Sequence, residues 1–323
     1  MSFSITIIGS SSATPTRLRS PSAQLFNIDE HYSLIDCGEG TQMKLINLGI
    51  KFNKIDNIFI SHLHGDHYLG LPGLLFSMHL FGRTKPLNLF GPLELKNILD
   101  VIFKASDSIL LYNIEFYPLV YEKSDIILKN EKFYVKSFPL SHGLPAWGFK
   151  FEETEKERKI QKSFLLGNND ISIDDIKNIK QGADYVNKDG TIFKNSEITI
   201  QPLKPVTYAY CSDTVYYEKI ISEIYNVDLL YHESTFMSDM QKNAIEKHHS
   251  TSIDAANIAK QANAGNLLIG HFSARYKNIN PLLDEARSIF ANTFSAEEGY
   301  CYSIIEGRKL KIIESKTKKE KNL

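Results

Sequence analysis

Short apolar runs recur along the chain, and residues that favour turns separate them. The runs are rich in β-branched and aromatic side chains, a composition typical of β-strands. The pattern predicts strands at Ser4–Ile8, Gln24–Ile28, Ser33–Ile35, Asn57–Ile60, Leu87–Phe90, Lys132–Phe138, Trp147–Phe151, Ile198–Ile200, Thr207–Cys211, Asp228–Tyr231, Leu267–Gly270 and Cys301–Ile305.

Helical patterns lie between these runs. TQMKLINLG ends on Gly49, which favours a helix C-terminus there. PLELKNILDVIFKA starts with a proline and has apolar residues at helical spacing. STSIDAANIAKQANAG begins with Thr251 and Asp254 at the spacing of a capping box. Strands that alternate with helices predict a mixed α/β layered architecture.

One internal stretch, at about 152–196, departs from this alternation. It is charged and polar, has little periodicity, and reads as an insertion into the core fold. The C-terminal SKTKKEKNL is also highly charged and is expected to fray.

Length and composition exclude several classes of protein. The 323 residues suffice for one large domain or two ordinary ones, and 42% of them are hydrophobic. No apolar stretch approaches the roughly 18–20 residues of a membrane span. The formal net charge of −1 lacks the basic bias of many nucleic-acid binders. Three widely spaced cysteines indicate the reducing cytoplasm and no disulfide framework.

Four possible metal ligands lie within six residues, in HLHGDH. His62 and His64 follow an apolar strand at i and i+2, so their side chains point to the same side and can share an ion. A turn at Gly65 can direct Asp66 and His67 to a second ion. The alternative is that these four residues are solvated polar side chains on a surface turn, and it is the less plausible interpretation.

Three further ligands are expected at other strand ends. His142 follows one predicted strand, Asp213 a second and His271 a third. Each alone would more often be a hydrogen-bonded histidine or a helix N-cap. Together, five imidazoles and two carboxylates fit a site for two ions, with Asp213 able to bridge them. Such a donor set suits Zn²⁺ first, and Mn²⁺, Fe²⁺ or Co²⁺ as substitutes. Two ions a few ångströms apart suit phosphodiester hydrolysis.

The motifs together resemble those of the ribonuclease Z family, the tRNA 3′-processing endonucleases of the metallo-β-lactamase superfamily, in its short form. The matching stretches are LIDCGEGTQ, HLHGDHYLGLPGLL, YCSDT, HEST, HHST and HFSARY. The resemblance covers the chain except for the insertion. It implies one αββα sandwich domain over 1–323, with the stretch at about 152–196 as a projecting flexible arm that grips tRNA.

The resemblance also implies roles for the ligands. His62, His64 and His142 would hold one zinc, with Asp66, His67 and His271 on the other and Asp213 between them. Asp66 would also serve as general base. Glu233 and His249 match residues that pass a proton to the leaving 3′ oxygen.

Substrate contacts follow from the same resemblance. Ser273 and Arg275 would meet phosphate oxygens, and Arg17 and Arg19 lie in PTRLRS, which is similar to the family's loop for the RNA 3′ end. In this chain Arg17 replaces a lysine and Ser20 an asparagine. Lys180 lies in a loose match to the second element of the arm, whereas the usual Gly-Pro tip is absent.

The resemblance therefore implies an endoribonuclease that removes the 3′ trailer of precursor tRNA after the discriminator base and leaves a 3′-hydroxyl. A homodimer and a cytoplasmic location are implied as well, with no membrane partner. Three alternatives stay open: a general phosphodiesterase acting on small substrates or RNA ends, a hydrolase of thioesters or lactams, and a tRNA-binding platform without chemistry. The arm argues against a small substrate, and Asp213, HEST and HFSARY argue against a hydrolase of thioesters or lactams. The presence of every ligand argues against a platform without chemistry.

Overall fold

The computed structural model describes residues 3–121, 123–168, 170–305 and 309–314. The C-terminal stretch that was expected to fray lies outside these ranges. The strands of the described residues are β1 Phe3–Gly9, β2 Ala23–Ile28, β3 His31–Ile35, β4 Ile55–Phe59, β5 Leu87–Gly91, β6 Ile114–Pro118, β7 Asp125–Lys129, β8 Phe133–Leu140, β9 Ala146–Glu153, β10 Lys159–Ile160, β11 Tyr185–Val186, β12 Ile192–Phe193, β13 Thr199–Ile200, β14 Thr207–Cys211, β15 Leu229–Glu233, β16 Leu267–Gly270, β17 Thr293–Ser295, β18 Tyr300–Ile305 and β19 Lys309–Glu314.

The helices of the same residues are α1 Thr41–Asn47, α2 Gly65–Tyr68, α3 Leu71–Leu80, α4 Leu93–Ala105, α5 Lys162–Gly167, α6 Ile173–Lys180, α7 Asn195–Ile198, α8 Gln241–Glu246, α9 Ser252–Gln261 and α10 Asn280–Ile289. Short 3₁₀ turns cover Phe52–Lys54, Glu218–Ser222 and Ser238–Met240. The capping box predicted at Thr251 and Asp254 is confirmed at the start of α9. Gly49 follows α1 with a φ of 72°, the left-handed conformation of a C-terminal glycine.

Two large sheets form the centre of the main unit, which comprises residues 1–152 and 206–323. The first sheet has the order β19-β18-β1-β2-β3-β4-β5-β6, and the second has the order β17-β16-β15-β14-β9-β8-β7. Aromatic side chains from both sheets fill the space between them, for example Phe26 against Phe151 with ring centroids 4.4 Å apart.

Helices cover the outer face of each sheet. Leu74 of α3 and Leu95 of α4 pack with Ile58 of the first sheet. Ile258 of α9 and Leu282 of α10 belong to the apolar cluster on the second sheet. The layers are therefore helix, sheet, sheet and helix, so the predicted αββα fold class is confirmed.

Residues 153–205 form a second compact unit. It has a small core of Ile179, Tyr185 and Ile198, and β10 pairs with β13 while β11 pairs with β12. Its elements are two to eight residues long, too short to reveal a period in the sequence. The predicted strand Ile198–Ile200 is wrong at Ile198, which ends α7, so only Thr199–Ile200 is extended.

Candidate metal centre and active site

Strand ends bring the predicted ligands together. His62 and His64 follow β4, and the short helix α2 carries Asp66 and His67. His142 follows β8. The strands β14, β15 and β16 are parallel neighbours. Because their carboxyl ends meet at one sheet edge, Asp213 after β14, Glu233 at the end of β15 and His271 after β16 converge.

The first ligand group consists of His62, His64, His142 and Asp213, whose donor atoms lie within 4.8 Å of one another. His64 Nδ1 is 3.2 Å from His62 Nε2 and 3.0 Å from His142 Nε2. Asp213 Oδ2 is 3.5 Å from His62 Nε2. Ligands about 2.1 Å from a tetrahedral zinc lie about 3.4 Å apart, so these separations fit such an ion.

Asp66, His67 and His271 form the second group. His271 Nε2 is 3.3 Å from His67 Nε2 and 3.2 Å from Asp66 Oδ2. Asp213 Oδ1 is 3.4 Å from His67 Nε2 and 3.2 Å from His271 Nε2. One oxygen of Asp213 thus faces each group, which is the geometry of a bridging carboxylate.

The electrostatics of the cluster also fit bound cations. Burial and the neighbouring His67 lower the pKa of His62 to about 4, so this ring is neutral and free to coordinate. Burial also lowers the pKa of His67, but Asp213, Asp66 and Asp36 outweigh it and raise that pKa well above its usual value. The surplus negative charge is balanced by a proton on His67 or by metal cations.

Three of the remaining imidazole nitrogens are held by neighbouring groups. His67 Nδ1 lies 2.7 Å from Asp36 Oδ2, and His142 Nδ1 donates to the main-chain oxygen of His248 at 2.7 Å. Thr235 Oγ1 is 2.9 Å from His271 Nδ1. Such partners fix the ring orientation and tautomer of metal-binding histidines.

Asp36 is a functional residue that the sequence analysis did not single out. It is fully buried, and it accepts hydrogen bonds from Tyr210 at 2.6 Å and from the Ser61 main chain at 2.7 Å. Its φ of 56° is in the left-handed region, as is that of His271 at 57°. The sequence did contain a signal for this residue, because Asp36 is a carboxylate directly after the apolar strand β3.

Glu233 and His249 form a pair beside the ligand groups. His249 Nδ1 donates to Glu233 Oε1 at 2.8 Å, and the buried carboxylate also accepts from the Thr214 main chain at 2.9 Å. Burial lowers the pKa of His249, but Glu233 and Asp213 outweigh it and raise the pKa to about 9. A raised pKa favours the protonated ring, which is the form that a proton donor requires.

A cavity of about 600 Å³ opens over Asp66, Asp213 and His249. Ser273 and Arg275 line it, and Arg275 Nε donates to Ser273 Oγ at 3.0 Å. Lys247, which the sequence analysis overlooked, lines it as well. Its position in EKHHST, two residues before His249, was the available signal.

Arg17 and Arg19, two other predicted substrate residues, are not among the residues that line this cavity. Arg17 is exposed, and Arg19 donates to the main-chain oxygens of Tyr276 at 2.6 Å and Ser273 at 3.3 Å. Lys180 belongs to the unit of 153–205, where it lies 3.5 Å from Glu157. Their contacts with substrate stay predictions.

Comparisons with known proteins identify similar chains. Ribonuclease Z of Porphyromonas gingivalis is 40% identical over 92% of this chain and 97% of its own length. Ribonuclease Z of Cytophaga hutchinsonii is 43% identical over 94% of this chain and 97% of its own length. A family model described as anti-Pycsar protein Apyc1 matches residues 3–105.

Solved structures with a similar fold include proteins of the metallo-β-lactamase fold. Human tRNase Z, short form, is 26% identical, covers 94% of this chain and 99% of its own, and superimposes with a TM-score of 0.69. The metallo-β-lactamase fold protein YhfI of Bacillus subtilis is 20% identical over 94% of this chain and all of its own, with a TM-score of 0.66. Among the described residues, no helix is both long and apolar enough to cross a membrane.

Proposed function

The chain belongs to the ribonuclease Z family and is a tRNA 3′-processing endoribonuclease, and we propose that it cuts precursor tRNA directly after the discriminator base. The cut would leave a 3′-hydroxyl on the tRNA and a phosphate on the trailer. One observation carries the proposal: Asp213 faces two ligand groups, and the His249–Glu233 pair lies beside them.

The proposed cofactors are two zinc ions per chain. His62, His64 and His142 would hold one, and Asp66, His67 and His271 the other, with Asp213 between them. The separations of the donor atoms and the surplus negative charge support this assignment. Five imidazoles with carboxylates and no thiolate also accommodate Mn²⁺, Fe²⁺ or Co²⁺ as substitutes.

The ions, when bound, supply positive charge that polarises the phosphodiester and makes water easier to deprotonate. The chain's own residues would do the rest. Asp66 accepts the proton of the attacking water, and His249, held by Glu233, donates a proton to the leaving 3′ oxygen. Arg275, together with Ser273, would bind the phosphate oxygens on which charge develops.

The substrate would also meet residues farther from the reacting phosphorus. We assign Arg17 and Arg19 to the loop that meets the RNA 3′ end, and Lys180 with its neighbouring lysines to contacts with the tRNA body. In this interpretation residues 153–205 are an exosite. Phosphate contacts of this kind fix position without reading bases.

A cytoplasmic homodimer completes the proposal, with the arm of one subunit serving the site of its partner. Exposed apolar side chains near the end of α3 support the dimer, because Leu80, Phe81, Ile109 and Leu111 are each at least 60% exposed. The Leu111 main chain donates to His79 Nδ1 at 3.0 Å, which places the two segments side by side.

The direct test is incubation with precursor tRNA that bears a 3′ trailer, with metal content measured by elemental analysis. We expect cleavage at one position, a product that poly(A) polymerase can extend, and about two zinc ions per chain. Chelation should abolish cleavage, and Zn²⁺ or Mn²⁺ should restore it. Hydrolysis of a small chromogenic diester without cleavage of tRNA would favour the general phosphodiesterase instead.

A further inference from the structure

The loop between β1 and β2, residues 10–22, forms one wall of the cavity over the site. Ser12, Ala13 and Pro15 line this wall. The main-chain N–H of Ala13 donates a hydrogen bond of 2.7 Å to Asp66 Oδ2. The loop therefore reaches the carboxylate that the proposed function makes both ligand and base.

We propose that Ala13 is a positioning residue, whose main-chain N–H holds Asp66 in its reactive orientation, and that Glu298 holds the loop that carries it. The proposal rests on the proposed function for the role of Asp66. A bond from Ala13 to Oδ2 limits rotation of the carboxylate and leaves Oδ1 to accept a proton. An N–H donor to a charged oxygen forms one of the stronger kinds of hydrogen bond.

The conformation of Ala13 supports this assignment. Its φ is 61°, a left-handed value that residues with a side chain seldom adopt. Strained residues of this kind persist only where the surrounding structure enforces them, and they cluster at active sites. Two contacts enforce the path of the loop, because Ser12 N–H donates to the Phe272 oxygen at 3.0 Å and Ser11 N–H donates to the Ser20 oxygen at 2.8 Å.

Glu298 ties the two ends of the loop together. Its Oε1 accepts hydrogen bonds from the main chain of Ser10 at 3.3 Å and of Ser20 at 2.5 Å. Its Oε2 pairs with Lys44 Nζ at 2.6 Å, and its side chain is 9% exposed. Glu298 lies far from every catalytic motif in the sequence, so only the structure connects it to the site.

Arg19 joins the same loop to the segment that carries Ser273 and Arg275. Its guanidinium donates to the main-chain oxygens of Tyr276 and Ser273. Arg17 and Leu18 form the exposed tip of the loop, and these hydrogen bonds do not involve them. Contact between the RNA and the tip is thereby linked through the loop to Asp66.

The first test removes the N–H of Ala13. Incorporation of lactic acid at position 13 by nonsense suppression converts the amide to an ester, and Ala13→Gly is the comparison that keeps the N–H. We expect the ester to lower kcat roughly 10- to 100-fold below the glycine variant, the range of a charge-assisted hydrogen bond. The loss should appear with precursor tRNA and with bis(p-nitrophenyl) phosphate, with KM, metal content and thermal midpoint unchanged.

An ester variant as fast as Ala13→Gly would overturn the proposal. A fall in rate that parallels a fall in metal content would also overturn it. In that case the Ala13 N–H would help to retain the metal and would not orient the Asp66 carboxylate. The small diester separates this test from the proposed function. If the native chain hydrolyses the diester but leaves tRNA intact, the proposed function fails and the ester comparison still decides the role of Ala13.

The second test concerns Glu298, with Glu297→Gln as the matched control because Glu297 accepts from Ser295 instead of from the loop. Glu298→Ala should lower kcat for both substrates, whereas Glu298→Gln should recover most of it, since a carbonyl oxygen remains for the two amides. Wild-type kcat in Glu298→Ala would overturn the role of Glu298. Equal losses of kcat in Glu298→Ala and Glu298→Gln would also overturn it, because the loss would then come from breaking the ion pair with Lys44.

Discussion

The charged residues of the catalytic site and those of the unit at 153–205 differ in burial and in partners. At the site, Asp36, Asp213 and Glu233 are at most 1% exposed, and each has fixed polar partners. In the 153–205 unit, Lys188 lies 3.0 Å from Asp170 and Lys194 lies 2.8 Å from Asp184, with all four side chains at least 40% exposed.

The difference is what the proposed division between bond cleavage and RNA binding requires. A buried charge that loses its partner is strongly destabilising, so the site keeps one geometry. Exposed ion pairs contribute little to stability, so a lysine can exchange its carboxylate for a phosphate at small cost. Fixed geometry suits bond cleavage, whereas exchangeable pairs suit reversible binding of RNA.

Among changes at the catalytic site, Asp66→Ala is expected to lower the rate most. This change removes a ligand and the proton acceptor together, so the rate should fall by several orders of magnitude with both precursor tRNA and a small diester. Elemental analysis of the variant would show how much of the loss follows metal content. A variant that keeps a tenth of the wild-type rate would contradict the role of Asp66.

His249→Ala should cost less, roughly 10²–10⁴-fold in kcat, which is the usual size of a proton-transfer contribution. Metal content should be unchanged. His31→Ala is the matched control, because His31 is an exposed residue of β3. The donor atoms of Asp213, His249 and His271 also lie within 4.8 Å of one another. A metal-free His249→Ala protein would therefore make His249 a ligand and refute its assignment as proton donor.

The smallest effect is a displacement of the pH profile in Glu233→Gln. Burial lowers the pKa of His249, but Glu233 and Asp213 raise it to about 9. The protonated ring is the donor, so kcat should persist as pH rises and fall as pH passes that pKa. Removing the Glu233 charge lowers the pKa, and the alkaline limb should move to lower pH. An unmoved limb would show that another group titrates there.

Local patterns in the sequence predict the candidate ligands that the fold brings together. Each ligand follows an apolar run, and parallel strands necessarily bring their carboxyl ends to one edge. The strands β6, β7 and β19 went undetected because they mix exposed apolar and polar residues at sheet edges. Helix α3 is apolar around most of its circumference, so it lacks the stripe that reveals an amphipathic helix.

The functional residues that the sequence did not reveal are joined to the site by long-range contacts. Asp36 meets Tyr210 across 174 residues, and Glu298 meets Ser20 across 278. No spacing rule connects such pairs, because the fold decides which loops meet. For the same reason the sequence does not show that Arg19 donates to the main-chain oxygens of Tyr276 and Ser273, and its contact with substrate stays a prediction.

The most direct test of the division between chemistry and recognition is to replace residues 153–205 by a short Gly/Ser turn. The strands β9 and β14 are antiparallel neighbours with Glu152 opposite Thr207, so a hairpin turn can join them. A matched variant with the unit intact and Lys177, Lys180 and Lys188 changed to glutamine isolates the contribution of charge.

The measurement is the ratio of precursor tRNA cleavage to small-diester hydrolysis in these two variants and the native chain. We expect diester hydrolysis to survive the replacement. We also expect tRNA cleavage to fall sharply and the salt dependence of tRNA binding to flatten by about one slope unit per lost phosphate contact. Unchanged tRNA cleavage would contradict the proposed role of residues 153–205, as would loss of both activities in a folded, metal-loaded protein.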